Sequence, residues 1–300
     1  MTANVKDKAF DVTMIIIIAS ISLLCIVPMI YLVSVSLSSS AAVIGRKVFL
    51  LPVEFNLGAY KAVFSDRAIL NSLIFTIWLT ALCSICSIFI TILAAYSLTK
   101  KNLKGRNVFL VIVVVITMYF GGGTIPEYLL VRNLGLTDTF LSLMLPYMLS
   151  AFNLIILKTF FSSLPESLEE SAYLDGASHF TILFKIVLPL SMPAIATLTL
   201  FYAVGRWNGF QDALMFISKP TLYPLQLKLY MLVYNNQMSE VSIVEGSSAG
   251  GIAPENLKAA AVMFATVPIL IVYPWLQRYF ISGVTIGAIS GARLTVTGKK

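Results

Sequence analysis

Six stretches of this 300-residue chain contain no Asp, Glu, Lys or Arg: Val12–Gly45, Ala68–Thr99, Asn107–Pro126, Thr139–Leu157, Ile186–Gly205 and Ala259–Gln277. A helix rises about 1.5 Å per residue, so about 20 apolar residues cross the ~30 Å hydrocarbon core of a bilayer. Each stretch meets or approaches that length. None alternates as a barrel strand would, so all are expected to be helices. The first two exceed one crossing and trim to 13–36 and 70–98. The expected fold is an all-α polytopic membrane protein: one domain over 1–300, with six transmembrane helices at about 13–36, 70–98, 107–126, 139–157, 186–205 and 259–277.

Composition excludes the main alternatives. Hydrophobic residues make up 58% of the chain and charged residues 12%, whereas soluble domains are nearer half and a quarter. Too few polar side chains remain to cover a water-facing surface. A soluble enzyme, a disordered chain and a nucleic-acid-binding domain are all excluded, despite a net charge of +7. Lys6 and Lys8 precede an apolar run, as in a signal peptide. The run Met14–Val35 is too long for a signal core, however, and Ser36–Ser40 offers no small-residue cleavage site, so it reads as the first span. The bias of Lys and Arg toward the inner loops, clearest in Lys100, Lys101, Lys104 and Arg106, favours an N-in, C-in topology. That leaves outer segments at Ser38–Arg67, Glu127–Asp138 and Arg206–Lys258, and one long inner segment, 158–185.

The inner segment carries the most information. Ser163 and Glu166 have the spacing of a capping box, with Pro165 in the first turn. Glu166, Glu169 and Glu170 crowd the helix N-terminus, where the dipole favours anions. Leu164, Leu168 and Ala172 form one apolar stripe, Gly176 supplies a break, and Ser178 caps the next helix. A helix resting on lipid headgroups should carry Lys and Arg on its polar face. This one is acidic beside an anionic leaflet, which favours a protein partner.

From Glu170 the sequence runs Glu-Ser-Ala-x-x-x-Gly176, then nine residues to Ile186-x-Leu188-Pro189. This resembles the EAA signature of binding-protein-dependent ABC importer permeases, with Ser171 where the family usually has Ala. Asp175-Gly176-Ala177 matches the sugar-importer form. The likeness to MalG-type carbohydrate permeases continues through Pro193, Arg206–Asp212, Tyr223–Gln226 and the tail Tyr279–Gly291. Ser290 stands there where relatives often have Lys. The resemblance implies a cytoplasmic coupling helix-turn-helix in which Glu170, Ala172, Asp175, Gly176 and Ala177 dock on an ATPase. It implies as partners a second permease, two ATPase subunits and an extracytoplasmic solute-binding protein, in a bacterial cytoplasmic membrane. It further implies an oligosaccharide substrate, of the complex or acidic kind such as oligouronide or alginate fragments. ATP and Mg would be bound by the ATPases, and this chain would hold no cofactor and catalyse no reaction. The sequence agrees: Gly298-Lys299 lacks the rest of a phosphate-binding loop, Arg293 standing where its first Gly should be.

The remaining chemistry-bearing residues are few. Arg206, Trp207, Asn208 and Asp212 form the candidate translocation path, because aromatic faces stack on sugar rings and amides hydrogen-bond hydroxyls. The alternative is a structural Arg206–Asp212 pair with Trp207 at the membrane interface. Cys83-x-x-Cys86 and Cys25 read as small hydrophobes within spans, since no second pair or nearby His completes a metal site. His179 reads as a polar helix-start residue. Pro189 and Pro193 are either a bend or ordinary helix starts, and Gly121–Gly123 an outer turn or a hinge. An ion-gradient-driven transporter is the competing function. It calls for ionisable residues within spans and for inverted repeats, and neither is visible.

Overall fold

The structure, a computed structural model, describes residues 5–240, 252–271 and 274. Every regular element among them is helical. The chain divides into two compact units, Met1–Leu70 with Lys228–Pro268 and Asn71–Leu227 with Ile269–Lys300. Among the described residues three helices are long and apolar enough to cross a membrane: Phe10–Ser36, Arg67–Thr99 and Pro254–Ile271. The end of the expected 259–277 span and the tail Tyr279–Gly291 lie outside the described residues, as do residues 241–251 of the outer segment.

In the first unit the N-terminal helix Val5–Ser36 is apolar all round beyond Asp11, and Ile15, Ile18, Leu23 and Leu24 are exposed. Such a helix suits lipid or another subunit, not water. Two of its hydroxyls are satisfied within the helix: Ser20 and Ser22 donate to the Ile16 and Ile18 carbonyls, each at 2.8 Å. Burial begins where the serines gather. Ser34 Oγ donates to the Leu50 carbonyl at 2.7 Å, and Ser38 Oγ to that of Ser34 at 2.6 Å. The Ser38 hydroxyl also accepts the Val53 N–H at 3.0 Å. Asn256 donates to the carbonyls of both Val35 and Ser38 at 2.8 Å. The helix end and the loop after it are thereby pinned, as buried main-chain groups require.

The second unit is built on the Arg67–Thr99 helix from Asn71 onward. Ile92, Ala95, Tyr96 and Leu98 pack with Leu154, Leu157, Phe161, Ile182, Leu183 and Leu198 in one buried cluster. Around this frame the three middle spans depart from simple rods. The helix expected over 107–126 runs only from Arg106 to Tyr119, with Phe109–Ile116 wound as a π-helix. Gly121–Gly123 interrupts it, and a new helix, Thr124–Asn133, crosses what reads as a turn. The 139–157 span is two helices, Phe140–Tyr147 and Ala151–Ser162, bent by 48°. Pro146 lies in the 3₁₀ turn before the bend, and Ser150 caps the second helix by accepting the Asn153 N–H at 3.3 Å. The 186–205 span is likewise broken. His179–Leu190 and Met192–Asn208 meet at 84°. Pro193 has no N–H for the Pro189 carbonyl, and Pro189 none for Lys185. Pro193 also sits at the start of its own helix, so there the bend and the helix-start readings describe one residue, whereas Pro189 lies at the end of His179–Leu190 and belongs to the bend.

Candidate functional site

The 158–185 segment folds into a tight reversal. Its first helix is Glu166–Leu174, with Pro165 as N-cap. The expected capping box is absent, because the preceding helix claims Ser163: its hydroxyl donates to the Phe160 carbonyl at 2.7 Å. At the other end Ala177 N–H bonds to the Ala172 carbonyl at 2.9 Å, and Gly176 N–H to that of Tyr173 at 3.0 Å. This is the Schellman arrangement, with Gly176 at φ +78° in the left-handed region. An added Cβ there would meet nothing within 4 Å, so within this chain backbone conformation, not space, requires glycine. Ser178 then caps the next helix, accepting the Thr181 N–H at 3.2 Å.

The five residues singled out in this turn separate into two groups. Ala172 is buried in the chain's own core and Ala177 packs half-buried against it. Glu170, Asp175 and Gly176 are exposed. Only part of the expected stripe is covered, since Leu168 remains exposed while Leu164 is half-buried. Sequence reading missed two outward apolar side chains beside them, Leu174 at 90% exposure and Phe180 at 68%. Leu174 lies off the stripe on a polar face, which is the signal that could have found it. Lys100 pairs with Glu169, and Lys101 with Glu166 at 2.6 Å. The Lys101 ammonium holds the Glu166 carboxyl below the usual carboxylate range. His179 starts its helix as expected, with Nδ1 hydrogen-bonded to the Tyr173 hydroxyl and the two rings edge to face at 5.2 Å.

The second candidate site centres on Arg206 and Asp212, both buried. The guanidinium grips the carboxylate with two bonds, Nη1 to Oδ2 at 2.5 Å and Nη2 to Oδ1 at 3.0 Å. Nη1 also donates to the Leu143 carbonyl at 2.9 Å, and the Tyr147 ring lies 5.7 Å away. A Cβ at Gly209 would come within 2.5 Å of Nη2, so glycine there admits the fork. Trp207 is buried as well, while Asn208 is exposed and donates to the Val204 carbonyl at 3.0 Å. Arg206, Asn208 and Asp212, but not Trp207, border a cavity of about 1180 Å³, together with Ser87, Tyr147, Asn153 and Tyr202. Thr91 spends its proton on the Ser87 carbonyl at 2.7 Å, so the Tyr202 hydroxyl donates to Thr91 at 2.8 Å and accepts the Ser150 N–H at 3.1 Å. The structure therefore brings Arg206 and Asp212 together as a pair and sets Asn208 apart from them. Cys83 is a buried free thiol, and Cys86 half-buried.

Residues 87–286, which contain both sites, match the family described as binding-protein-dependent transport system inner membrane component. The chain belongs to that family. This permease is 39% identical over 286 residues to the polygalacturonan/rhamnogalacturonan transport system permease protein YtcP of Bacillus subtilis strain 168, covering 95% of this chain and 100% of the relative. It is 41% identical to protein LplC of the same organism, covering 95% and 96%. It is also similar to a chain in the crystal structure of a bacterial ABC transporter involved in the import of the acidic polysaccharide alginate. There the identity is 32% and the TM-score 0.84, over 93% of this chain and 99% of that one. Membership decides the competing functions: the permease is the membrane-embedded subunit of a transport system served by a binding protein, not a gradient-driven carrier.

Proposed function

We propose that this permease imports an oligosaccharide, with an acidic backbone such as an oligouronide, across a bacterial cytoplasmic membrane. The acidic class is supported by the relatives, one named for polygalacturonan and rhamnogalacturonan and one described by alginate import. The observation that carries the mechanism is the Schellman turn with its exposed apex. Glu170, Asp175 and Gly176 present acceptors and a bare backbone outward, and Leu174 and Phe180 add apolar surface. An ATPase subunit docks there, while Ala172 and Ala177 hold the turn against the permease core. The chain crosses the membrane six times as one domain, with both termini inside. It pairs with a second permease, and the two ATPases supply the ATP and Mg sites.

Solute released by the binding protein enters along the Arg206–Asp212 cavity. The ion pair builds part of the wall, Trp207 is buried outside the lining, and Asn208 is the residue placed to meet sugar hydroxyls. Co-purification in mild detergent tests the whole reading: a second permease and an ATPase should come down with this chain. Gly176→Asp should lose the ATPase and abolish uptake while the permease still inserts and folds. Normal uptake by that variant would sink the docking assignment.

A further inference from the structure

Two helix ends meet at one place in the second unit. The Arg67–Thr99 helix stops one residue before Lys100, and the Glu166–Leu174 helix carries Glu166 and Glu169 in its first turn. Partial negative charge collects at a helix C-terminus and partial positive charge at an N-terminus. Lys100 therefore suits the first end, and the two glutamates the second. The side chains then join the ends to each other, Lys100 to Glu169 and Lys101 to Glu166. Lys100 also lies over the Tyr96 ring, 4.2 Å from its centroid, and Tyr96 shares a buried cluster with Ala172.

The two pairs differ in shielding. Lys100 and Glu169 are 25% and 28% exposed, whereas Lys101 and Glu166 are 76% and 71% exposed. Water screens the outer pair far more, so the inner pair is the stronger link. Beside it a cavity of about 1180 Å³ is lined by Leu93 and Tyr96 of the long helix and Tyr173 of the short one. Packing between the two helices is incomplete there, and the ion pairs span what packing leaves open.

We infer that Lys100 and Glu169 form a tie that carries movement of the Glu166–Leu174 helix into the Arg67–Thr99 helix. Both are positioning residues for coupling. The inference rests on the reading of the Gly176 turn as the ATPase dock. Without the tie, the dock would still bind an ATPase, but its displacement would reach the membrane helix only through the buried cluster.

The test uses the complete transporter in proteoliposomes, with binding protein and oligogalacturonate as probe. Uptake, ATP hydrolysis and retained ATPase are measured on the same preparations. Lys100→Ala and Glu169→Ala should each keep the ATPase and its hydrolysis. Sugar moved per ATP should fall at least about fivefold, the low end of coupling between sites. The exchange Lys100→Glu/Glu169→Lys should recover part of that ratio, and only part, because each charge then opposes its helix dipole.

An unchanged ratio in both single variants overturns the tie. So does a parallel loss of uptake, hydrolysis and assembly, which marks a packing role alone, or an exchange that recovers nothing. Gly176→Asp separates the two readings. If it loses the ATPase while the Lys100 and Glu169 variants couple normally, the dock stands and the tie falls. If it keeps the ATPase and full uptake, the dock itself falls.

Discussion

Arg206–Asp212 and Lys101–Glu166 close to nearly the same distance, 2.5 and 2.6 Å, and do different work. The first pair is 6% and 4% exposed and fixed by a two-point grip with a third bond to a carbonyl. The second stands in water, one point to one point. Distance alone would rank them as equals. Surroundings separate them: a shielded charge cannot be re-solvated when its partner is removed, and an exposed one can. The buried pair is thus part of the wall of a cavity, whereas the exposed Lys101–Glu166 contact joins two elements and can part at small cost.

The sharpest way to break this contrast is Asp212→Ala, which strands the Arg206 charge. A loss of about 3–5 kcal/mol is expected, read as a large fall in melting temperature in detergent. The double change Arg206→Met/Asp212→Leu should recover much of it, and if it does not, the pair contributes more than neutralised charge. Next in size is Gly176→Val, which forces a β-branched residue into φ +78°. It should cost about 1–2 kcal/mol, with Gly176→Asn milder, as the same melts would show. Glu166→Gln should shift the melt least of these three. A fall as large as that of Asp212→Ala would erase the contrast.

The smallest effects are those of pH. Glu166 is held below its ordinary value by Lys101, and Asp138 by the N–H groups of Ser218 and Lys219. Both folded values lie below the unfolded ones, near 4. Each contribution is therefore complete above that pH and lost as pH falls through the folded value. Amide exchange at Ser218 and Lys219 should stay slow from neutral pH down to about 4, after correction for the intrinsic rate, and rise only below. Loosening at pH 6 would show that Asp138 is not the anchor.

The sequence was most readable where one physical rule acts alone. A long charge-free run has few outcomes, so the helices Phe10–Ser36 and Arg67–Thr99 follow from it. Gly176 and Ser178 also sit where local backbone chemistry puts them. Reading failed where two elements compete for the same residue. Ser163 has the spacing of a cap for the helix after it but is taken by the helix before it. It failed again where charge-free length hides a break, as at Ser191 between two prolines, or at Gly121–Gly123. Partners far apart in sequence were invisible: nothing near Glu169 announces Lys100. Arg206 and Asp212 were both found, but that they hold each other, at the wall of a cavity, was left to the fold to show.

The interrupted third helix has a consequence for the lipid around it. The helical stretch 106–119 is at most about 21 Å long at the usual rise, against a hydrocarbon core of about 30 Å. Phe120–Gly123 continues it as exposed, non-helical backbone; the Phe120 N–H and the Gly123 carbonyl are bonded within the chain, and no acyl chain can satisfy groups that are not. On the proposed six-span topology the bilayer dips toward this stretch, or water and a neighbouring subunit fill the shortfall. On that topology acyl-chain length should control uptake, with vesicles of thinner membranes expected to suit this permease better than thick ones.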